Sequence, residues 1–430
     1  MATWEEGWWT STIESGLPRR ERRAGAFAAY VPDPLGATPL LLPPGIDELT
    51  ARAEHAVRNL SGDARDLAGI ARFLLRSEAI ASSRIEGIAP AIRGIALAEL
   101  GSHEPVPDVS AQAQLVANNM TVLHDARTVV VAAPTVTLKH ITDLHAALLP
   151  DEHGHHGLRT VQNWIGGSNH HPIDADFVPP TPERVIPLME DLVAYLNGAS
   201  HSPLIQAALA HAQFETIHPF TDGNGRVGRA LIHTVLTRRG LTTEAVLPVS
   251  LVLSTLRHDY VAGLTAYRHA DAAYSAVAHT ARARWIETFA SAVLAAAEQA
   301  GRLATDLSAL RQDWDERLTA SRSDLGRTRG VRSDSATALI LRDLPATPVL
   351  TSNTVQRIYG VSHVAADRAL GELLAANILS AHERRGVRYH QAFDVLDLIT
   401  MTERRLASTK FDTRTSPPVR AVPAPPSRPH

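Results

Sequence analysis

The stretch Ile217–Arg229, which reads IHPFTDGNGRVGR, is the most informative segment of this 430-residue chain. Apolar residues in 204–214 recur at roughly helical spacing, which predicts a helix leading into the stretch. Pro219 disfavours helical geometry at the residue before it, so this helix should end near His218 and leave the imidazole on a loop. Phe220 is the one large apolar side chain of the loop, and we expect it to plug into the core.

A second helix is predicted to begin directly after the glycine-rich turn. Asp222 suits its N-cap, and Gly223 and Gly225 let the backbone turn and approach a ligand closely. The helix should then run from Asn224 to Arg239. The first N–H groups of a helix have no intrahelical partner and lie at the positive end of its dipole. The turn therefore predicts a binding site for an anion.

The charged side chains around this turn fit a phosphorylated ligand. Arg226 and Arg229 are three residues apart, so they share a helix face and can reach successive phosphate groups. Asp222 can hold Mg²⁺ beside bound phosphates, because this ion takes few protein carboxylates. His218 is a suitable general base near neutral pH. Each residue alone also fits an ordinary capped helix start. Their ordered occurrence predicts a site that holds a nucleoside triphosphate and transfers part of it to a hydroxyl group.

From His218 to Arg229 the sequence matches His-x-Phe-x-(Asp/Glu)-Gly-Asn-Gly-Arg-x-x-Arg at every position. In this motif the chain resembles the Fic domain family, most members of which transfer AMP from ATP to a Ser, Thr or Tyr hydroxyl of a protein. The resemblance extends to Arg159–Gly167 followed by Val178–Pro180. In similar proteins a short β-hairpin here, expected over Gln162–Gly167, lies over the active site and aligns the target backbone by strand pairing.

The resemblance implies a role for each residue of the motif. His218 would take the proton from the attacking hydroxyl, and Asp222 would hold Mg²⁺ bridging the phosphates. The backbone N–H groups of Gly223, Asn224 and Gly225, together with the Asn224 amide, would bind the α- and β-phosphates. Arg226 would bind the β-phosphate, and Arg229 would bind the γ-phosphate. The residues that contact adenine stay unassigned.

A second motif, Ser82-x-x-x-Glu86-Gly87, lies upstream. Its sequence favours a helix that Gly87 terminates, with Glu86 in the last turn, where its charge opposes the helix dipole. An ordinary surface glutamate is the alternative interpretation. The segment resembles the (Ser/Thr)-x-x-x-Glu-(Gly/Asn) inhibitory motif of Fic proteins whose inhibitory helix is N-terminal. This implies that Glu86 pairs with Arg229, removes the γ-phosphate clamp and inhibits the enzyme.

Composition describes a globular protein of two or three domains. Hydrophobic residues make up 44% of the chain and charged residues 20%, and the net charge of −3 argues against a general polyanion binder. Because the chain has no cysteine, a disulfide framework, a thiolate zinc site and a cysteine nucleophile are excluded. The first residues lack a signal-peptide pattern, and no apolar run is long enough to cross a bilayer. We therefore expect a cytoplasmic protein without membrane contact.

The expected fold class is mainly α, with an all-helical Fic core, a small β-hairpin flap and a C-terminal winged helix-turn-helix domain. Residues 18–44, rich in Pro, Gly and Arg, are expected to be irregular. The expected domains are an N-terminal helical region (1–109) carrying the inhibitory motif (82–87), a Fic domain (110–305), a linker helix with the winged helix-turn-helix domain (306–400), and a disordered tail (401–430).

The C-terminal domain is predicted from its helices over 336–344, 352–359 and 363–377 and from a strand–turn–strand pattern at Arg384–Tyr389. DNA contact through this domain is an open alternative, although acidic residues dilute its positive charge. The arginines available for phosphates are Arg357, Arg368, Arg384, Arg385 and Arg388, and the acidic residues are Asp367, Glu372 and Glu383.

Three functions fit this sequence. The favoured one is a protein adenylyltransferase that uses ATP and Mg²⁺, releases pyrophosphate and acts on a hydroxyl-bearing protein, including itself. The second is a Fic-family enzyme that uses another nucleotide, or that removes AMP with the help of Glu86. The third is a DNA-binding regulator whose Fic core only senses nucleotide, and the intact motif weighs against it. Similar proteins are usually homodimers, so a dimer is a further expectation by analogy.

Overall fold

A computed structural model describes residues 2–11, 15–36, 40–62, 70–327 and 329–408. Within these residues the protein is mainly helical, as predicted, and it contains two small antiparallel sheets. The chain forms two compact units. The first contains the described residues up to 55 together with 121–243 and 256–294, and the second contains 56–120, 244–255 and the described residues from 295 onward. None of the helices formed by the described residues has the length and apolar character that crossing a bilayer demands.

The helices and strands follow one another along the chain with these bounds: β1 (Thr3–Trp9), β2 (Gly25–Val31), α1 (Pro44–Gly62), α2 (Ala71–Ile85), α3 (Ile92–Gly101), α4 (Ala111–Arg127), α5 (Val129–Ala132), α6 (Leu138–Leu148), α7 (Pro182–Asn197), α8 (Pro203–Ile217), α9 (Asn224–Arg238), α10 (Val249–Thr255), α11 (Arg257–Tyr267), α12 (Ala276–Asp324), α13 (Ala336–Asp343), β3 (Val349–Leu350), α14 (Ser352–Tyr359), α15 (His363–Ala375), β4 (Ser380–Arg384), β5 (Val387–Gln391) and α16 (Phe393–Ser408).

Helix α8 is the central helix of the first unit. Every residue from Leu204 to Ile217 is buried, as expected of a helix that is covered on all sides. Neighbouring helices approach it closely. The indole N–H of Trp285 on α12 donates to the Ala208 carbonyl at 2.7 Å. On α9, a Cβ added to Gly228 would lie 2.5 Å from Oε1 of Glu215. Glycine at this position therefore lets α9 pack directly against α8.

The N-terminal segment contains an antiparallel strand pair that the sequence did not predict. Strands β1 and β2 pair in a register that places Trp4 opposite Tyr30. The expectation that residues 18–44 are irregular is therefore wrong for 25–31. The reason is that glycine and alanine make up four of the seven residues of β2, so it carries a weak strand signal of its own. Its strand geometry depends on pairing with a segment far from it in sequence.

In the second unit, buried ionic groups hold helix α2 in place. The carboxylate of Glu78 accepts hydrogen bonds from the backbone N–H of Ser250 at 2.8 Å and from its hydroxyl at 2.5 Å, at the first turn of α10. A carboxylate at this end of a helix is favourable because the dipole is positive there. Arg76 forms two hydrogen bonds with Glu99 on α3, at 2.7 and 3.1 Å, and donates to the Ala346 carbonyl at 2.8 Å.

The C-terminal elements follow the predicted order of helices and strands. Thr351 caps α14 with its side chain, and Gly360 ends that helix with a φ of 65°. Strands β4 and β5 pair through a two-residue turn, Arg385 and Gly386, whose φ angles of 46° and 80° are both positive, as a type I′ turn requires. Strand β3 completes a sheet in the order β3-β5-β4. The winged helix-turn-helix class itself stays a prediction.

Two of the expected domain boundaries fall inside continuous helices. The division expected between 305 and 306 lies inside α12, which runs without a break from Ala276 to Asp324. The tail expected from residue 401 is wrong for its first part, because α16 extends to Ser408 and buries Leu406. The remainder of that tail, 409–430, lies outside the described residues. The division into domains stays a prediction.

Candidate active site

His218 ends helix α8 in a left-handed conformation. Its φ is 49° and its ψ is 61°, and its N–H donates to the Phe214 carbonyl at 2.9 Å. Such a conformation stores about 1–3 kcal/mol in a residue other than glycine, and histidine tolerates it better than most residues do. The predicted end of the helix at His218 is confirmed. The reversal of the backbone there leads the chain into the loop 219–223.

Two polar side chains from an earlier segment hold this loop. The Nε–H of Arg159 donates to the His218 carbonyl at 2.8 Å, and the Arg159 backbone N–H donates to the Pro219 carbonyl at 2.9 Å. The amide of Asn163 donates to the carbonyls of His218 and Phe220 at 3.3 and 3.0 Å. Sequence reasoning gave neither side chain a role. Arg159 and His218 are 59 positions apart, so no local pattern indicates their contact.

The β-hairpin expected over Gln162–Gly167 is reduced to a single pair of bridged residues. It consists of one antiparallel bridge between Ile165 and Phe177, with hydrogen bonds of 2.8 and 3.1 Å, and not of a ladder over Gln162–Gly167. Gly166 and Gly167 have φ angles of 74° and 70°, which take the chain out of strand geometry directly after the bridge. We use the term flap for residues 161–167 and 177–180, which this bridge joins.

The interior of the loop is built around Phe220, which is fully buried as predicted. Its ring stacks on the imidazole of His145 with centroids 3.9 Å apart. The side chain of Asn224 binds both backbone groups of Phe220, accepting from the N–H at 2.8 Å and donating to the carbonyl at 2.8 Å. The resemblance implied that the Asn224 amide contacts phosphate. In this structure the amide instead fixes the shape of the loop.

Gly223, and not Asp222, is the N-cap of helix α9. Gly223 has a φ of 76°, and a Cβ there would lie 2.8 Å from Cδ2 of Leu148. The expectation that Asp222 caps the helix is therefore wrong by one residue, because this position requires glycine geometry. As a consequence, the Asp222 carboxylate is not committed to capping. Its side chain is 57% exposed, and Oδ2 lies 3.5 Å from Nη2 of Arg226.

His145 supports the backbone of the loop at Asp222. Its Nε2 lies 3.0 Å from the Asp222 carbonyl oxygen. Burial lowers the pKa of His145 to about 4, so the ring is neutral at physiological pH. A carbonyl can only accept, and the proton of the neutral ring is therefore on Nε2. Sequence reasoning also missed this residue, which lies 77 positions before its partner.

Arg226 and Arg229 are the third and sixth residues of α9, and both are almost fully buried, with exposures of 2% and 1%. Their positive charges are placed where the helix dipole is also positive. Burying charged groups is costly unless opposite charge accompanies them. This concentration of positive charge at a helix start suits a polyanionic ligand such as a nucleoside triphosphate.

Residues 135–236 match the family model described as Fic/DOC family. The chain contains a Fic domain. Over 136 residues it is 34% identical to the protein adenylyltransferase fic-1 of Caenorhabditis elegans, a match that covers 30% of this chain and 23% of that protein. Over 112 residues it is 38% identical to the protein adenylyltransferase Fic of Drosophila grimshawi, covering 24% of this chain and 21% of that protein. The chain thus spans less than a quarter of the length of these relatives.

Among solved structures, a Fic family protein from Desulfovibrio desulfuricans is similar to this chain, with 21% identity and a TM-score of 0.48 over 83% of this chain and 98% of that one. The family match over 135–236 lies inside the expected Fic domain of 110–305. It contains His145, Arg159 and the whole motif from His218 to Arg229. The residues described above therefore lie within the region that matches the family.

The Ser82–Gly87 motif lies at the C-terminal end of α2, in the second unit. Gly87 has a φ of 79°, and the N–H groups of Gly87 and Ile88 donate to carbonyls three and five positions earlier, at 2.9 and 3.0 Å. This is a Schellman motif, so the predicted terminator is confirmed. Glu86 is the C-cap, one residue beyond the last helical residue, and Ser82 is fully buried.

The residues around Asp222 fit a magnesium ion that is shared with phosphates. Within the part of the chain that the structure describes, no three His, Cys, Asp or Glu side chains form a metal-binding group. Mg²⁺ at nucleotide sites does not need such a group, because it takes one or two carboxylates together with phosphate oxygens and waters. The half-exposed carboxylate of Asp222, beside the start of α9, provides one ligand of this kind.

Proposed function

We propose that this protein is an adenylyltransferase that transfers AMP from ATP to a Ser, Thr or Tyr hydroxyl of a protein and releases pyrophosphate. The observation that carries the proposal is the placement of the left-handed His218 directly before a helix start that buries Arg226 and Arg229. The Fic domain match and the names of the relatives support the same reaction.

In the proposed reaction His218 is the general base. The hydroxyl oxygen of the target attacks the α-phosphorus of ATP while the imidazole accepts its proton. The bond from the α-phosphorus to the α–β bridging oxygen breaks, and pyrophosphate leaves. Phosphoryl-type transfer depends on positioning and charge neutralisation. A residue whose backbone is fixed at a helix end by several hydrogen bonds supports the first of these requirements.

The start of α9 binds the triphosphate in this proposal. The N–H groups of the first turn, from Gly223 to Gly225, which have no partner within the helix, bind the α- and β-phosphates in this proposal. Arg226 and Arg229 bind the β- and γ-phosphates. Asp222 would hold Mg²⁺, which would supply neutralisation of the phosphate charge. Asn224 acts through the loop, because both polar atoms of its amide are engaged with the backbone of Phe220.

His218→Ala tests the reaction. Loss of the base should lower AMP transfer by about 10²–10⁴-fold while the ATP dissociation constant changes by less than about twofold, since phosphate binding is assigned to other residues. Transfer is measured by intact-mass spectrometry after incubation with each nucleotide, which also separates AMP from UMP addition. His258→Ala is the control, because that ring is 95% exposed. Full residual transfer in His218→Ala would remove this residue from the mechanism.

We also propose that Glu86 inhibits the transfer from within the chain. The support is the sequence motif Ser82-x-x-x-Glu86-Gly87 and the helix end that presents it. In this proposal the carboxylate pairs with Arg229 and takes the γ-phosphate clamp away from ATP. The nucleotide then adopts a pose from which AMP is not transferred.

A further inference from the structure

Arg159 contacts both the loop that carries His218 and the two segments of the flap. In the loop, its guanidinium donates to the His218 carbonyl at 2.8 Å and to the Ile217 carbonyl at 3.3 Å. In the flap, it donates to the carbonyls of Val161 at 3.1 Å and Pro180 at 2.5 Å. These residues all lie in the first unit. One side chain thus binds three pieces of backbone.

The requirements of this position are specific to arginine. Arg159 is 3% exposed, and its guanidinium donates to neutral carbonyl oxygens. A guanidinium offers five N–H donors in one plane, whereas an ammonium offers three donors around one atom. Burial lowers the pKa of Arg159 to about 10, so the side chain keeps its charge at neutral pH. The cation therefore serves as a rigid multiple donor.

The carbonyls that Arg159 binds in the loop are the last ones of helix α8. The last carbonyls of a helix have no intrahelical partner, and they form the negative end of its dipole. A buried cation at this position donates hydrogen bonds to these carbonyls and is attracted by the negative end of the dipole. Without it, the strained conformation of His218, with φ at 49°, loses the contact that opposes its relaxation. The direction of the imidazole would then be less well defined.

We infer that Arg159 is a positioning residue that fixes the flap and the loop of His218 as one rigid assembly. This inference rests on the proposed function. A target segment held by the flap would present its hydroxyl at a constant distance from the imidazole. Displacement of a reacting group by about 1 Å can lower a rate by about 10²-fold. Arg159 would therefore affect the rate of transfer far more than the binding of ATP.

A buried arginine that only stabilises the fold is the competing interpretation, and the chain offers a matched control for it. Arg238 also binds backbone carbonyls, those of Ala133 at 2.6 Å and Pro134 at 2.5 Å. It belongs to the same unit but is the last residue of α9, about 20 Å along the helix from its start. Arg238→Lys should therefore lower stability without changing the geometry at His218.

The experiment compares Arg159→Lys with Arg238→Lys in the full-length protein, with and without Glu86→Gly. We measure ATP affinity by calorimetry, AMP transfer at saturating ATP, and hydrogen–deuterium exchange of peptides that cover 161–167 and 214–224. For Arg159→Lys we expect the ATP dissociation constant to stay within about threefold, transfer to fall by at least about 30-fold, and exchange to rise in both peptides. For Arg238→Lys we expect neither the loss of transfer nor the rise in exchange.

Equal transfer by the two variants, or faster exchange in only one of the two peptides, overturns the inference. If the chain with unaltered Arg159 transfers no AMP in either background, the proposed function fails, and the exchange data still decide whether Arg159 joins the flap to the loop. If Arg159→Lys does not fold, Asn163→Ala replaces it, because Asn163 lies in the flap and donates to the same His218 carbonyl. Faster exchange in both peptides then supports the inference, and unchanged exchange overturns it.

Discussion

In the loop 219–223 between α8 and α9, the backbone conformation limits which residues fit, in addition to the chemistry that the site needs. His218 and Gly223 both have positive φ, at 49° and 76°, and they bracket the reversal between α8 and α9. Within that reversal Asn224 binds the backbone of Phe220, and His145 binds the carbonyl of Asp222. The proposed binding of one ligand between the imidazole and the helix start therefore depends on these conformations. The spacing of the motif has a structural cause in addition to its proposed catalytic one.

Glu86→Gly tests the proposed inhibition at the level of one side chain. Removing the carboxylate should raise AMP transfer by about tenfold or more, because loss of an opposing charge pair of about 1.4 kcal/mol changes an equilibrium tenfold. The measurement is transfer of labelled AMP from ATP by the full-length protein in a cell lysate, followed by identification of the labelled band.

Two further variants test whether the effect of Glu86→Gly comes from the lost charge and whether it depends on His218. Glu86→Gln keeps the shape of the side chain and removes its charge, so it should show most of the same increase. Glu86→Gly combined with His218→Ala should transfer no AMP. An unchanged rate in Glu86→Gly would contradict the inhibitory role. A modified target that loses its AMP only when Glu86 is present would instead assign this residue to AMP removal.

At the scale of elements, the site depends on how closely α9 packs against α8. Gly228 lies where an added Cβ would be 2.5 Å from Oε1 of Glu215 and 2.9 Å from Cδ1 of Phe214. Arg226 and Arg229 lie close to this glycine in sequence, so the helix contact and the proposed phosphate-binding face share the first turns of α9. Close packing of two helices thus determines where the arginines are held.

Gly228→Ala should destabilise the protein by about 1–3 kcal/mol, because overpacking a buried helix contact forces the backbone or side chains to shift. Gly371→Ala is the matched control. This glycine is exposed on α15 with no atom within 4 Å of an added Cβ, so alanine there should stabilise the protein by about 0.5–1 kcal/mol. Urea unfolding of both variants measures the difference. A Gly228→Ala midpoint at or above that of the unaltered protein would show that α8 and α9 are less tightly packed than described.

At the scale of the whole molecule, the charge distribution bears on the DNA-binding alternative. The net charge is −3. At the turn between β4 and β5, Nε of Arg385 lies 2.9 Å from the Asp108 carboxylate, and Arg384 donates to the Asp108 carbonyl at 3.1 Å. On α15, the exposed Arg368 is accompanied by the exposed Asp367. Because Asp108 balances part of this positive charge, we favour a role in protein contacts over one in DNA binding.

The full-length protein is accordingly expected to bind duplex DNA no more tightly than non-specific binders do, with a dissociation constant weaker than about 10⁻⁶ M at physiological salt. A gel-shift titration at several salt concentrations measures this. The variant with Arg357→Ala and Arg368→Ala, two exposed positions, is compared in parallel. A salt-dependent complex at nanomolar protein that this variant loses would support the DNA-binding regulator and contradict our expectation.

The sequence by itself determined the features that depend on near neighbours. The helix end at His218, the start of α9 after the glycine-rich turn, the buried Phe220 and the terminator Gly87 all follow from residues within about one helical turn. The mainly helical class follows in the same way from spacing and composition. These features could be predicted because backbone sterics, capping and side-chain periodicity act over a few positions in the chain.

The tertiary structure alone decided which distant groups support the site. The contact of Arg159 with His218 joins positions 59 apart, and that of His145 with Asp222 joins positions 77 apart. The N-cap at Gly223 depends on close packing against Leu148, and β2 is a strand because β1 pairs with it. No local pattern contains these facts, because each hydrogen bond or van der Waals contact forms only after folding brings its two partners together.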